Sequence, residues 1–258
     1  MRGRNQLDLS TANDEPSSSP MQGRFLEFSV AVADIRASLD FYAKLGFSPT
    51  DVGDAWPHPY AVITDGRICI GLHQHAAPLP ALTFVKADLL KHVHLFERVG
   101  VDFEVRHLGG DVFNEVAWRD PSGNFLRYVE ARTFSPSKRP ATDNSLCGYF
   151  LEIALPARDV EAARIYCEQF GFVGMVEADA PIPHVCCMSD TIDVGLYDQR
   201  HIRRPTLLFE CADVEAGAAR IAAAGVAPAM EVSAAGGAAA SALFVAPEGT
   251  ALLISADA

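Results

Sequence analysis

"FLEFSVAVADIRASLDFYAKLGF", Phe25 to Phe47, decides how this chain is read. Its opening run is apolar and β-prone except at Glu27 and Ser29, the pattern of a strand covered by other structure. Asp34 then supplies an N-cap, an amphipathic stretch follows and Gly46 closes it, so the segment predicts a strand leading directly into a helix. "FLEIALPARDVEAARIYCEQFGF", Phe150 to Phe172, repeats the arrangement, with Glu152, Asp159 and Gly171 at the matching places. Burying a carboxylate without a partner costs several kcal/mol, so one in each of two matched strands requires an explanation.

Two more segments share the pattern. "ALTFVKADLLKHVHLFERVG" opens its helix at Asp88 and ends at Gly100, and "TLLFECADVEAGAARIAAAGV" opens at Asp213 and ends at Gly225. Short strand-like runs follow each helix. The first set includes "YAVITDGRICIGLHQ", with a hairpin turn at Asp65-Gly66. The second set is "DFEVRHL", "NEVAWRD" and "NFLRYVEA", the last two joined by the Pro121-Ser122-Gly123 turn, and the fourth unit has a parallel turn at Pro247-Glu248-Gly249. Strand, helix and three strands therefore recur four times, with a period of about fifty residues. This predicts an α+β protein of four βαβββ units. Residues 1–22 are expected to form a disordered leader, 23–132 a first domain, 133–146 a Pro-, Ser- and Thr-rich linker and 147–258 a second domain.

Composition narrows the function classes. Apolar residues make up 49% of the 258 and charged residues 21%, which fits a globular protein. A net charge of -12 excludes nucleic acid and anionic membrane as main partners, since both need basic patches. No apolar run is long enough to span a bilayer, and the first twenty residues lack the apolar core of a secretory signal. The six cysteines have no CxxC spacing and read as free, buried thiols, so the expected location is cytoplasmic.

The register of these motifs resembles the vicinal oxygen chelate superfamily, which includes glyoxalase I, bleomycin-resistance proteins and extradiol dioxygenases. The resemblance rests on the Phe25–Phe47 segment and on "WRDPSGNFLRYVEA", Trp118 to Ala131, and extends more weakly over Gly148 to Ala256. It implies that paired units form glyoxalase-like domains, each with its sheet curled into a cup, and that a divalent metal is held on the cup floor by residues from four strands. At the four implied positions this chain has Glu27, Gly71, Ala81 (Leu82 if the alignment slips) and Arg127 in the first domain. The second has Glu152, Gly195, Thr206 and Leu253. One acid survives in each cup, so the expectation is that no metal is bound. The one rebuilt metal site to consider would join Glu27 to His73.

Alternation in "ICIGLH" sends Ile68, Ile70 and Leu72 to the helix side and Arg67, Cys69, Gly71 and His73 to the cup. Glu27 and Arg127 occupy positions that converge in the resembled family, so they are expected to form an ion pair and to be the catalytic residues. Arg67, His73, Tyr60, Trp118 and Phe125 are the candidate substrate-binding residues; Arg67 either meets an anionic group or projects from its hairpin into solvent. His58, Tyr60 and His184 are expected on matching strands near the cup rims, where they gate the cups, assist acid–base chemistry or pack, packing being the favoured reading. His92 and His94, two apart on a helix, are discarded as ligands.

The resemblance then implies a glyoxalase-like protein. In the first reading its metal-free cup acts on a small oxygen-rich or carboxylate-bearing metabolite, with Glu27 as base and Arg127 as anion stabiliser. An alternative is a non-catalytic binder of an antibiotic or aromatic compound, and a second alternative is a metal-dependent lyase or dioxygenase. The expected partner is a small molecule, and the reading also allows a homodimer.

Overall fold

The computed structural model describes residues 21, 23–50, 56–76, 78–110, 112–131, 145–178, 182–233 and 239–256. The expected leader, apart from Met21, and the expected linker before Ser145 lie outside the described residues.

The first unit is β1 (Arg24–Ala31), α1 (Ile35–Lys44), β2 (Ser48–Thr50), β3 (Tyr60–Thr64) and β4 (Cys69–His73). The second is β5 (Ala81–Val85), α2 (Leu89–Arg98), β6 (Phe103–His107), β7 (Glu115–Arg119) and β8 (Phe125–Val129). The third is β9 (Tyr149–Ala157), α3 (Val160–Gln169), β10 (Val173–Ala178), β11 (His184–Met188) and β12 (Val194–Asp198). The fourth is β13 (Thr206–Glu210), α4 (Val214–Ala223), β14 (Met230–Ser233), β15 (Ala239–Val245) and β16 (Ala251–Ser255). The fold is α+β, four βαβββ units in two eight-stranded sheets.

Within each sheet the first strands of two units pair antiparallel at the centre, β1 with β5 and β9 with β13. Each of these also pairs parallel with the last strand of its own unit, for example β1 with β4 and β5 with β8. The helix-facing side chains of both sheets merge into one apolar core. Phe96 of α2 stacks on Phe170 at 6.0 Å, and Phe47 meets Phe209 edge-on at 6.4 Å. The opposite sheet faces carry two separate smaller clusters, one around Ala81, Ala117 and Phe125 and one around Leu208 and Leu253. These faces are the two cups.

Asp34, Asp159 and Asp213 cap their helices through side-chain hydrogen bonds, as the sequence predicts. Asp88 does not. It adopts φ 52°, makes no capping hydrogen bond and directs its carboxylate to Lys91 Nζ at 3.0 Å. All six cysteines are free thiols. Among the described residues no helix is long and apolar enough to cross a membrane.

Candidate functional site

A matched irregularity in each sheet places the two glutamates. The β1–β5 register shifts between Phe25 and Glu27, so Phe25 and Phe28 both reach the helix-side core while Glu27 and Ser29 face the cup. The β9–β13 register shifts at the equivalent place, between Leu208 and Phe209, and turns Glu152 into the second cup.

Glu27 is fully buried and has three partners. Its Oε1 accepts from Ser29 Oγ at 2.6 Å and lies 2.7 Å from His73 Nε2, and its Oε2 accepts from the Tyr60 hydroxyl. Ser29 Oγ in turn lies 2.7 Å from Thr83 Oγ1, extending the chain across β5. Gly71 makes room for the carboxylate: a Cβ there would stand 2.1 Å from Glu27 Oε1. Burial, and then the charge of Glu27, raise the Tyr60 phenol well above its ordinary value, so Tyr60 remains a donor.

The cluster continues outward. His73 Nδ1 lies 2.9 Å from His58 Nε2, and the His58 ring stacks on His75 at 4.8 Å. His58, His73 and His75 line a cavity of about 400 Å³, with Trp56, Phe113 and Arg127 among its other walls. Trp56 meets His73 at 5.2 Å and Phe113 at 5.5 Å, giving the cavity an aromatic side. His58 is held below the usual histidine range by partial burial and by its neighbours His73, His75 and Arg127, so it rests as a neutral base. With Nε2 of His73 donating to Glu27, its Nδ1 accepts from the His58 Nε2–H. A carboxylate, an imidazole and a second imidazole therefore run in series from the floor to the cavity.

Several sequence expectations need correction. Arg127 reaches the cavity, but its ion pair is with Glu115 on the neighbouring strand, Nε to Oε1 2.9 Å, and its guanidinium lies 5.2 Å from the Trp56 ring. Glu27 is instead satisfied by the hydroxyls of Ser29 and Tyr60 and by His73, so the expected Glu27–Arg127 pair is not formed. Thr83, and not Ala81 or Leu82, faces Glu27 across the sheet; Ala81 lies one cup-facing step further along. The equivalent residue in the second cup is Leu208, not Thr206. Trp118 is on the helix side, fully buried against Phe96 and Tyr128, and donates to the Tyr166 hydroxyl at 2.7 Å. Arg67 is exposed, its guanidinium 3.7 Å from the Tyr149 ring centroid. Phe125 faces the cup but is packed with Ala81 and Ala117, under Arg119. Tyr60, His73 and His58 belong to the cluster, although the sequence favours packing over acid–base assistance for His58, and sequence reasoning missed Glu115.

The second cup repeats the cluster with its aromatic partners exchanged. In the first, Tyr60 on β3 is paired in register with His73 on β4; in the second, His184 on β11 is paired with Tyr197 on β12. Tyr197 donates to Glu152 Oε1 at 2.8 Å, and His184 Nε2 lies 3.6 Å from the same oxygen. Gly195 again leaves the space, since a Cβ there would lie 2.0 Å from Glu152 Oε1. Burial raises the Glu152 pKa, and burial with Glu152 beside it pushes the Cys186 thiol up to about 12.

No protein-family model matches the sequence, and no curated protein matches it. Solved structures do match the fold. A catechol 2,3-dioxygenase aligns over 91% of this chain and 88% of its own, at TM-score 0.55 and 17% identity. The Mn(II)-bound glyoxalase from Novosphingobium aromaticivorans aligns over 91% and 82%, at 0.59 and 13%. Homoprotocatechuate 2,3-dioxygenase from Brevibacterium fuscum aligns over 93% and 73%, at 0.60 and 15%. The fold is that of the vicinal oxygen chelate proteins. The metal that this fold implies does not fit the residues present. In the first cup Glu27 is consumed by its three donors, its carboxylate fills the space over Gly71, and Arg127 adds a cation. Among the described residues no group of three or more His, Cys, Asp and Glu side chains is arranged to hold a metal ion.

Proposed function

We propose that the first cup is a metal-independent proton-transfer site for a small planar metabolite bearing a carbonyl or carboxylate group. The observation that carries this reading is the Glu27–His73–His58 series ending on the cavity. His58 Nδ1 has no hydrogen-bond partner among the described residues, and the depressed pKa keeps it ready to take a proton. In the forward step a substrate C–H next to a carbonyl gives its proton to His58 Nδ1. The Nε2–H of His58 passes to His73 Nδ1, and the resulting imidazolium lies against Glu27. The electron pair left on the substrate moves onto the carbonyl oxygen, for which Arg127 is the available cation. Return of the proton gives exchange or isomerisation. Glu27, placed in the sequence reading as the base, is here a positioning residue that acts through His73.

The test is proton exchange in D2O, followed by NMR over a panel of small keto acids, hydroxy ketones and phenols. Exchange that depends on His58 and His73, and that is reduced at least tenfold in Glu27→Gln, supports the reading. Exchange unchanged in His58→Gln would remove it. A second reading, a binder without catalysis, is favoured by the aromatic wall of Trp56 and Phe113. A panel compound that raises the melting temperature and quenches Trp56 fluorescence, with no exchange of its protons, would select that reading.

A further inference from the structure

The second cup holds a cavity whose chemistry differs from that of the first. It is an open cavity of about 370 Å³, with Leu243, Leu253, Ile182 and Ile202 in its apolar lining, the hydroxyl residues Thr206 and Ser241 beside them, and Arg203 and Arg204 also lining it. Where the first cup has Thr83 and Arg127, the second has Leu208 and Leu253, so two polar floor positions of the first cup are apolar in the second. A polar group placed against Leu243 and Leu253 would be desolvated without compensation. An aliphatic chain would not.

The two arginines have the opposite character. Arg203 and Arg204 are both exposed, on the segment between β12 and β13, and neither is in an ion pair among the described residues. His201 lies beside them. The nearby acid Asp198 is tied to Arg200, with Nη2 to Oδ2 2.5 Å. On a chain with net charge -12, two arginines that line a largely apolar cavity and have no ion pair among the described residues are complementary to a ligand that is anionic at one end only. Arg204 also lines the neighbouring cavity beside Glu248 and Gly249, so Arg203 is the arginine confined to this one. We propose that the second cup binds a medium-chain aliphatic carboxylate, its tail against Leu243 and Leu253 and its head at Arg203 and Arg204. The volume lies near the lower end of the range for small-molecule sites, which suits a chain of roughly eight carbons. The inference is independent of the proton-transfer reading of the first cup.

Isothermal titration of the full chain with octanoate and with 1-octanol tests it. Saturable binding of one octanoate per chain is expected, with octanol at least tenfold weaker because it lacks the anionic head. The double variant Arg203→Gln/Arg204→Gln should lose at least tenfold in octanoate affinity, and Leu253→Trp, which fills the floor, should abolish binding. Arg127→Gln, in the other cup, should leave it unchanged. Circular dichroism establishes whether Leu253→Trp is folded, and if it is not, the surface double variant decides. Equal affinity for octanol and octanoate, octanoate affinity unchanged in the double variant, loss of binding in Arg127→Gln, or no binding at millimolar octanoate would each overturn the proposal.

Discussion

Glu27 is tolerated in a buried strand because three donors replace its water, and because Gly71 opposite has no side chain to collide with it. Gly71→Ala is therefore expected to destabilise the protein by about 1 to 3 kcal/mol, since a Cβ at 2.1 Å forces the carboxylate off its partners. Urea denaturation checks this, and Gly195→Ala should behave similarly through Glu152. Tyr60→Phe removes one donor from a buried carboxylate and should cost about 1.5 to 3 kcal/mol in the same assay. His58 supplies a pH signature. Its pKa is lowered on folding, so as pH falls through the ordinary histidine value of about 6.5 the unfolded chain takes up a proton that the folded site resists. Its contribution to stability is thus present at neutral pH and lost on acidification, and His58→Gln should flatten that part of the stability profile. The side of the sheet on which His73 lies was legible from strand alternation, and that of Glu27 and Arg127 from the family resemblance. The partners were not, because alternation fixes a face and not a neighbour. Glu115 reaches Arg127 diagonally from β7, in the register that places it opposite Val129, and nothing within "NEVAWRD" specifies that register.

At the scale of elements, the four helices were legible because each has an Asp before it and a glycine after it, and Gly46, Gly100, Gly171 and Gly225 all adopt positive φ. The same signal misled at α2. Asp88 follows its strand as the other three aspartates do, but its backbone turns left-handed and its side chain cannot reach the first-turn amides. The two sites should respond differently to substitution. Asp34→Ala removes acceptance from Arg36 N at 2.8 Å and should cost about 1 kcal/mol. Asp88→Gly removes no helix cap and relieves the positive φ, at the cost of an exposed pairing with Lys91, so it should cost less stability than Asp34→Ala in the same thermal assay. The bulges that aim Glu27 and Glu152 into the cups left no mark in the sequence beyond the charges themselves. A strict alternation from Phe25 would have sent Glu27 to the core side. The exchange of Tyr60 and His73 for His184 and Tyr197 was visible only as residues on matching strands; that they are in-register pairs follows from the hairpins.

At the scale of the whole molecule, the two sheets are joined on their helix sides, leaving each cup its own outer face. A carboxylate helps to join them. Glu248, in the turn before β16, accepts from Ser38 Oγ at 2.8 Å and Tyr42 OH at 2.7 Å, both on α1, and from Thr250 Oγ1 at 2.8 Å. Tyr42 is fully buried, and burial first, then Glu248, raises its pKa far above the phenol range, so it stays a donor. Leu146 N, donating to Leu45 O at 2.8 Å, adds a backbone tie at the same seam. Two domains sharing one apolar core and such a seam should unfold together, because neither can leave without exposing the other's buried surface. The location of the tryptophans makes this measurable. Both are in the first half, but Trp118 donates to Tyr166 and packs on Phe170 of the second. Fluorescence therefore reports the first cup through Trp56 and the seam through Trp118, while hydrogen exchange of β9, β12 and β13 reports the second half. In urea the two signals should show one midpoint. Tyr42→Phe leaves a Glu248 oxygen with Thr250 as its remaining partner and should lower that common midpoint, by about 1 to 3 kcal/mol in stability. Two separated transitions in the unaltered protein, or a Tyr42→Phe effect confined to the fluorescence signal, would show that the domains are packed together without being thermodynamically coupled.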